Sequence, residues 1–293
     1  MENWPNFFIV GVPKAGTTSL YQYLNEIPGI FMSQMKEPYY FTKSIKIDTN
    51  FVAHPPITDE QEYLSLFENV KDEKIVGEAT PFYLFDPIAP KLINEISPNA
   101  RIIISIRDPV ERALSHYLPV VQARFKIGTF HEQIQVELQR LENHDFSTMG
   151  MLQCGLYFQG IKRYLDTFGK NQVKIIIFEE FIKSTKQFLE DILEFLDVDT
   201  SLSSFKPQIH NPYRVSRGQV AESLLWNPTF SKLSRKLLSE STRKFFFTQV
   251  LQKKSTKSKM DLKDKKFLIE FYKEDVQKLQ ELIGKKLPWK NFQ

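Results

Sequence analysis

Lys14 stands inside a glycine-bounded run, Gly11-Val12-Pro13-Lys14-Ala15-Gly16, and two hydroxyls follow at once in Thr17-Thr18. A glycine-containing turn leading from a buried strand into a helix presents successive backbone N–H groups, and the positive helix end, to an anion. The phosphate loop of nucleoside-triphosphate enzymes reads G-x-x-x-x-G-K-[ST], with lysine directly after the second glycine and a hydroxyl on magnesium. Here the glycine spacing is kept, position 17 is threonine, and the loop's lysine lies inside it. The spacing predicts a phosphate cradle whose cation approaches from a different place than in an ATP–magnesium site.

A second group follows an isoleucine run: Arg107-Asp108-Pro109-Val110-Glu111-Arg112-Ala113-Leu114-Ser115-His116. Pro109 suits the first turn of a helix, with Asp108 as its cap. Arg107 then leaves the carboxyl end of a strand, where ligands of open α/β sheets bind, and Ser115 falls about two turns into the helix. An arginine with a serine hydroxyl offers charge-assisted contacts suited to a second phosphate.

Short apolar runs at Phe7 to Val10, Lys74 to Gly77, Arg101 to Ile106 and Val173 to Phe178 read as buried strands. Helical patterns lie between them, at about 59 to 69, 86 to 96, 109 to 124, 130 to 143, 156 to 168 and 185 to 197. Strands alternating with helices predict an α/β P-loop fold of three layers, a central parallel sheet flanked by helices with right-handed crossovers. After about residue 200 strand-like runs cease, and an irregular stretch, Lys206 to Gly218, precedes helical patterns at roughly 229 to 251 and 262 to 284. No linker rich in proline, glycine or serine marks a boundary, so residues 1–293 are expected to form one domain, about 5–200 being the nucleotide-binding core and about 201–293 its irregular and helical C-terminal part.

With 293 residues, 42% of them hydrophobic, the chain can bury a substantial core. Its net charge of +4 is the remainder of 39 basic and 35 acidic residues, unlike the bias of a nucleic-acid binder, so any anion site must be local. The seven lysines between Lys253 and Lys266 read as a solvated loop and helix start. Cys154 alone can make neither an intrachain disulfide nor a cysteine zinc cage, and a reducing compartment fits it. No secretory signal and no run of eighteen apolar residues is seen, so a cytoplasmic protein without a membrane span is expected.

P-K-A-G-T-T and R-D-P-x-x-R-x-x-S, in this order, resemble the sulfotransferases that use 3′-phosphoadenosine 5′-phosphosulfate (PAPS). Within them the chain is similar to the glycan (heparan-type) branch and its bacterial relatives, over approximately residues 5 to 200, with a looser echo at Leu282 to Trp289. The resemblance implies that Lys14, Ala15, Gly16, Thr17 and Thr18 bind the 5′-phosphosulfate and that Arg107 and Ser115 hold the 3′-phosphate. It also implies a nucleotide role for Tyr157, in Gly155-Leu156-Tyr157, and for Arg217 and Gly218 in a late basic loop. Lys36-Glu37-Pro38-Tyr39-Tyr40-Phe41 is similar to the K-E-x-x-[FY]-F segment that carries the glycan branch's base, which makes Glu37 the expected base. The branch acting on phenols and steroids uses histidine, and His54 is the rival by that resemblance. Lys14 is expected on the leaving oxygen, with no metal required.

The chain departs from the glycan branch at E-K-[ST]-P-x-Y, reading Glu78-Ala79-Thr80-Pro81-Phe82-Tyr83, with Ala79 in place of lysine. Glu78 is expected as an acceptor-site or structural carboxylate, and Thr80 and Tyr83 as pocket lining. The acceptor is expected to be a hydroxyl of a carbohydrate, lipid or small metabolite, on which Tyr39, Tyr40, Phe82 and Tyr83 offer stacking surfaces. The other readings are a P-loop kinase using ATP and magnesium and a non-catalytic nucleotide-binding protein.

Overall fold

The computed structural model describes residues 3–47, 54–122, 128–143, 150–203, 205, 214–216, 242, 250, 252–254 and 260–293. Five parallel strands make the central sheet: β1 (Phe7–Gly11), β2 (Ile30–Met32), β3 (Ile75–Ala79), β4 (Arg101–Ile106) and β5 (Val173–Ile177). Their order is β2-β3-β1-β4-β5. From β1 the chain runs to the edge at β2, returns inward to β3 beside β1, and then crosses to the other side through β4 and β5. The crevice at the carboxyl ends of β1 and β4 is therefore the place where the winding reverses and ligands of such sheets bind.

Side chains alternate between the two faces, as a strand period of two requires. Phe8, Val10, Ile102, Ile104 and Ile106 enter one apolar cluster, while Phe7, Ile9 and Ile103 enter another. The first cluster is closed by helices α3 (Ala89–Ile96), α4 (Pro109–Gln122), α6 (Phe158–Phe168) and α9 (Leu262–Ile283); the second by α1 (Thr17–Asn25) and α8 (Thr185–Phe195). Both faces being covered explains why these strands read as unbroken apolar runs. Helices α2 (Glu60–Ser65), α5 (Phe130–Glu142) and the four-residue α7 (Phe178–Phe181) complete the layers. Most predicted elements are present; the three-residue edge strand β2 is an addition.

Strands do not cease after residue 200 as expected: a second, two-stranded antiparallel sheet pairs β6 (Arg214–Ser216) with β7 (Gln252–Lys254), three polar-rich residues each and so too short to show a strand period. The helix predicted at roughly 229 to 251 lies almost wholly outside the described residues. The C-terminal section is fastened to the core by polar contacts. Asp275 accepts from the Tyr157 N–H at 2.8 Å at the start of α6, and Tyr272 Oη donates to the Leu152 carbonyl at 3.1 Å. Trp289 Nε1 donates to Glu179 and Asn291 Nδ2 to Asp108, at 3.0 and 2.8 Å. Cys154 is fully buried beside this seam. Among the described residues no helix is long and apolar enough to cross a membrane.

Candidate active site

Helix α1 starts after Gly16, whose φ of 82° is left-handed. A Cβ there would lie 2.9 Å from Cδ2 of Phe178, so both backbone and space require glycine. Lys14 is left-handed too, at φ 72°. Two loop carbonyls turn back toward β4: Ser105 Oγ donates to that of Ala15 at 2.6 Å, and Arg107 Nη1 to that of Lys14 at 3.1 Å. Gly16 supplies no side-chain cap, so the first-turn amides of Thr17 and Thr18 stand at the positive end of α1 for an outside acceptor.

Arg107 joins the two predicted anion groups into one. Besides its bond to the Lys14 carbonyl, its guanidinium lies over the Phe178 ring, 4.9 Å from the centroid. Its own carbonyl accepts from Tyr157 Oη at 2.8 Å. Tyr157 is itself fully buried, so it reaches the site through the Arg107 backbone. The Arg107 Nε is buried without a protein partner, an orphaned donor of the kind that a ligand oxygen satisfies. Asp108 caps α4 as expected, accepting from the Val110 and Glu111 N–H groups. Ser115 lies on α4 at 8% exposure.

The charges at the mouth are mutually unfavourable. The Lys14 side chain is exposed, yet crowding by the surrounding protein, and then the positive charge of Arg107, hold its ammonium below the ordinary lysine pKa; Arg112 and Lys36 add to this and Glu37 opposes it. An incoming anion relieves this repulsion. Arg112 is fully buried, donating to the Met151 carbonyl and to His116 Nδ1. Burial, then the Arg112 and Lys14 charges, push His116 well below the usual histidine pKa, so the ring is neutral with its proton on Nε2.

Glu37 arrives from the other side. The segment after β2 adds to the end of β3, with the Ser33 N–H donating to the Gly77 carbonyl and the Glu37 N–H to that of Ala79, at 2.8 and 3.0 Å. Lys36 Nζ pairs with Glu37 Oε1, and Tyr39 Oη donates to Glu37 Oε2 at 2.6 Å. Burial alone would raise the Glu37 pKa; Lys36, Tyr39 and His54 together outweigh it and hold the carboxyl below its ordinary value. His54 lies beside it, but its Nδ1 and Nε2 face the carbonyls of Pro55 and Lys36 at 3.0 and 3.2 Å. Carbonyl oxygens only accept, so neither ring nitrogen of His54 is placed with a lone pair free to take a proton.

Glu78, Thr80 and Tyr83 are each 0% exposed and lie beneath the site rather than lining it. Thr80 Oγ1 donates to Glu78 Oε1 at 2.6 Å, while Tyr63 and Tyr83 hydroxyls donate to Oε2 at 2.8 and 3.0 Å. Tyr83 Oη in turn accepts the Phe41 N–H at 3.2 Å, which ties the Glu37-bearing segment to this buried carboxylate. Tyr39 and Tyr83 are buried, so of the aromatics expected to stack on an acceptor only the half-buried Tyr40 and Phe82 show a surface. Arg217 and Gly218 lie outside the described residues. Sequence reasoning missed the attachment of Tyr39 to Glu37 and the burial of Arg112. The nearest signal was their place within two motifs already singled out.

Residues 5–287 match the sulfotransferase domain family. Carbohydrate sulfotransferase 15 of Homo sapiens is 27% identical over 248 residues, covering 66% of this chain and 44% of that protein. Heparan sulfate glucosamine 3-O-sulfotransferase 3B1 of Homo sapiens is 28% identical over 192 residues, covering 66% of this chain and 46% of its own length. The chain thus spans less than half the length of these two relatives. A solved sulfotransferase from Alicyclobacillus acidocaldarius superposes with a TM-score of 0.72 at 30% identity, covering 97% of both chains.

Proposed function

This chain belongs to the sulfotransferase domain family, and we propose that it transfers a sulfuryl group from PAPS to a carbohydrate hydroxyl. The observation that carries the reading is the bond from Arg107 to the Lys14 carbonyl, which couples an uncapped helix N-terminus to a half-buried guanidinium whose Nε is buried and unpartnered. Two anion positions held in fixed relation suit a nucleotide phosphorylated at both ends of its ribose. PAPS supplies the activated sulfuryl group. The amides of Gly16, Thr17 and Thr18 with Lys14 would hold the 5′ end, and Arg107 with Ser115 the 3′-phosphate.

In this reading Lys14 Nζ stabilises the negative charge that develops on the leaving oxygen. Its lowered pKa is relieved as that charge grows, so the lysine is drawn on most strongly in the transition state. Glu37 is the base, taking the acceptor's hydroxyl proton onto a carboxylate kept ionised by Lys36 and Tyr39. A carbohydrate acceptor is supported by the two human relatives, both of them named for sugar substrates. Half-exposed Phe82, packed 6.1 Å from the Tyr39 ring, gives a sugar face an apolar edge beside Glu37.

The test is a thermal-shift titration with 3′-phosphoadenosine 5′-phosphate against ATP–magnesium, followed by a screen of glycan acceptors with labelled PAPS. The desulfated nucleotide should raise Tm by linkage. Lys14→Ala should abolish transfer, roughly a hundredfold or more in kcat, with a smaller loss of nucleotide binding. Stabilisation by ATP–magnesium alone would indicate a kinase.

A further inference from the structure

We propose that Tyr39 is the positioning residue of this site: its hydroxyl fixes the Glu37 carboxylate in the orientation from which it takes the acceptor's proton. The inference rests on Glu37 being the base and adds the group that makes it one.

Glu37 has two side-chain partners, and they differ in kind. Lys36 reaches Oε1 on a long flexible stem, with 16% of its side chain exposed. Tyr39 reaches Oε2 at 2.6 Å from a ring that is 2% exposed and wedged between His54 and Phe82, with centroids 6.0 and 6.1 Å away. Its hydroxyl has no other place to go. The backbone shares this purpose: Glu37 and Tyr39 are both left-handed, at φ 64° and 59°, on either side of Pro38, whose ring fixes its own φ. Neither is glycine, so the conformation is strained, and the surrounding bonds hold it. The Pro38 and Tyr39 carbonyls accept from the Ile57 and Thr42 N–H groups, at 2.9 and 3.0 Å. This kinked tripeptide, held at both carbonyls, brings the Tyr39 hydroxyl onto the carboxylate two positions earlier at 2.6 Å.

The charged and titratable groups facing Glu37 are Lys36 and Tyr39 from its own segment, His54 from the following loop and Lys14 across the mouth. All three of the first lower its pKa, Lys36 most and Tyr39 next. Removing the hydroxyl should therefore leave Glu37 ionised over a narrower range, with its protonation moving to higher pH.

The readout is the carboxyl resonance of Glu37 in the full-length protein labelled with ¹³C-glutamate, assigned by its loss in Glu37→Gln, alongside kcat and KM on the acceptor returned by the PAPS screen. Tyr39→Phe should raise the Glu37 midpoint by about one pH unit and lower kcat about tenfold, with the affinity for 3′-phosphoadenosine 5′-phosphate unchanged. 3-Fluorotyrosine installed at Tyr39, a stronger donor of nearly the same shape, should move the midpoint the opposite way. It keeps the test decisive if the phenylalanine variant does not fold. An unmoved midpoint in both variants, with Glu37→Gln inactive, overturns the role of Tyr39 and leaves Glu37 as base. Full turnover in Glu37→Gln overturns the base assignment and the role of Tyr39 with it.

Discussion

Glu78 is an ionisable group held where water cannot reach it. Burial pushes its carboxyl up from 4.5 to about 7, against the pull of the Thr80, Tyr63 and Tyr83 hydroxyls. The native state therefore binds this proton more tightly than the unfolded chain does. Its contribution to stability is full below the ordinary carboxyl pKa and is lost as pH rises through about 7. Asp108 and Asp275, each raised by burial to about 6, act in the same sense. Glu78→Gln can still meet three hydroxyls that rotate to suit it. In thermal melts across this range it should flatten the fall of Tm between about pH 4.5 and 7, leaving the slope due to the two aspartates. A slope identical to wild type would mean that the buried carboxyl ionises without penalty. At the same scale, the spacing around Lys14 and Arg107 marked two anion positions that the fold brings together, whereas Glu37 was reached only through the resemblance of its segment. The burial of Glu78, Thr80 and Tyr83 was not legible, because a carboxylate satisfied by neighbouring hydroxyls reads in sequence like one that faces a ligand.

Strand β1, its loop and helix α1 form the element that positions the proposed nucleotide site. The pairing of β1 with β4 slips between Ile9 and Gly11, and the Val12 N–H then donates to the Ser105 carbonyl at 2.6 Å. The irregularity turns the loop over the end of β4, toward Arg107. Gly16→Ala would force a left-handed alanine, costing about 1–2 kcal/mol. It would also set its Cβ against the Phe178 ring that lies under Arg107. Urea melts should show that loss, and a titration with 3′-phosphoadenosine 5′-phosphate should show weaker binding than the stability change alone explains. Strands covered on both faces announced themselves as isoleucine and valine runs. β2 did not, since three residues after Pro28-Gly29 are too few to show a period. The Tyr39 contact was equally hidden: it depends on left-handed backbone at two residues that are not glycine, and no residue type advertises that.

Over the whole molecule, the C-terminal section closes on the same junction that carries the site. Trp289, 1% exposed, and Asn291 reach Glu179 and Asp108 behind Arg107, while Lys285 pairs with Glu180 at 2.9 Å. The helical appendage expected from the sequence is thus a brace for the β4–α4 turn. Cys154 is buried in the turn whose neighbours Leu152 and Gly155 pack against Tyr272 of the C-terminal helix, and the chain has no other cysteine. Burial drives its thiol up to about 12, so in the closed molecule it is both inaccessible and un-ionised. It is therefore a built-in reporter. The rate at which a thiol reagent captures it measures how often the C-terminal section lifts from the sheet, without any engineered label. If Arg107 holds the nucleotide as proposed, that rate should fall when 3′-phosphoadenosine 5′-phosphate is added, because binding favours the state with the junction intact. Capture at an unchanged rate would mean that the brace opens independently of the site it supports.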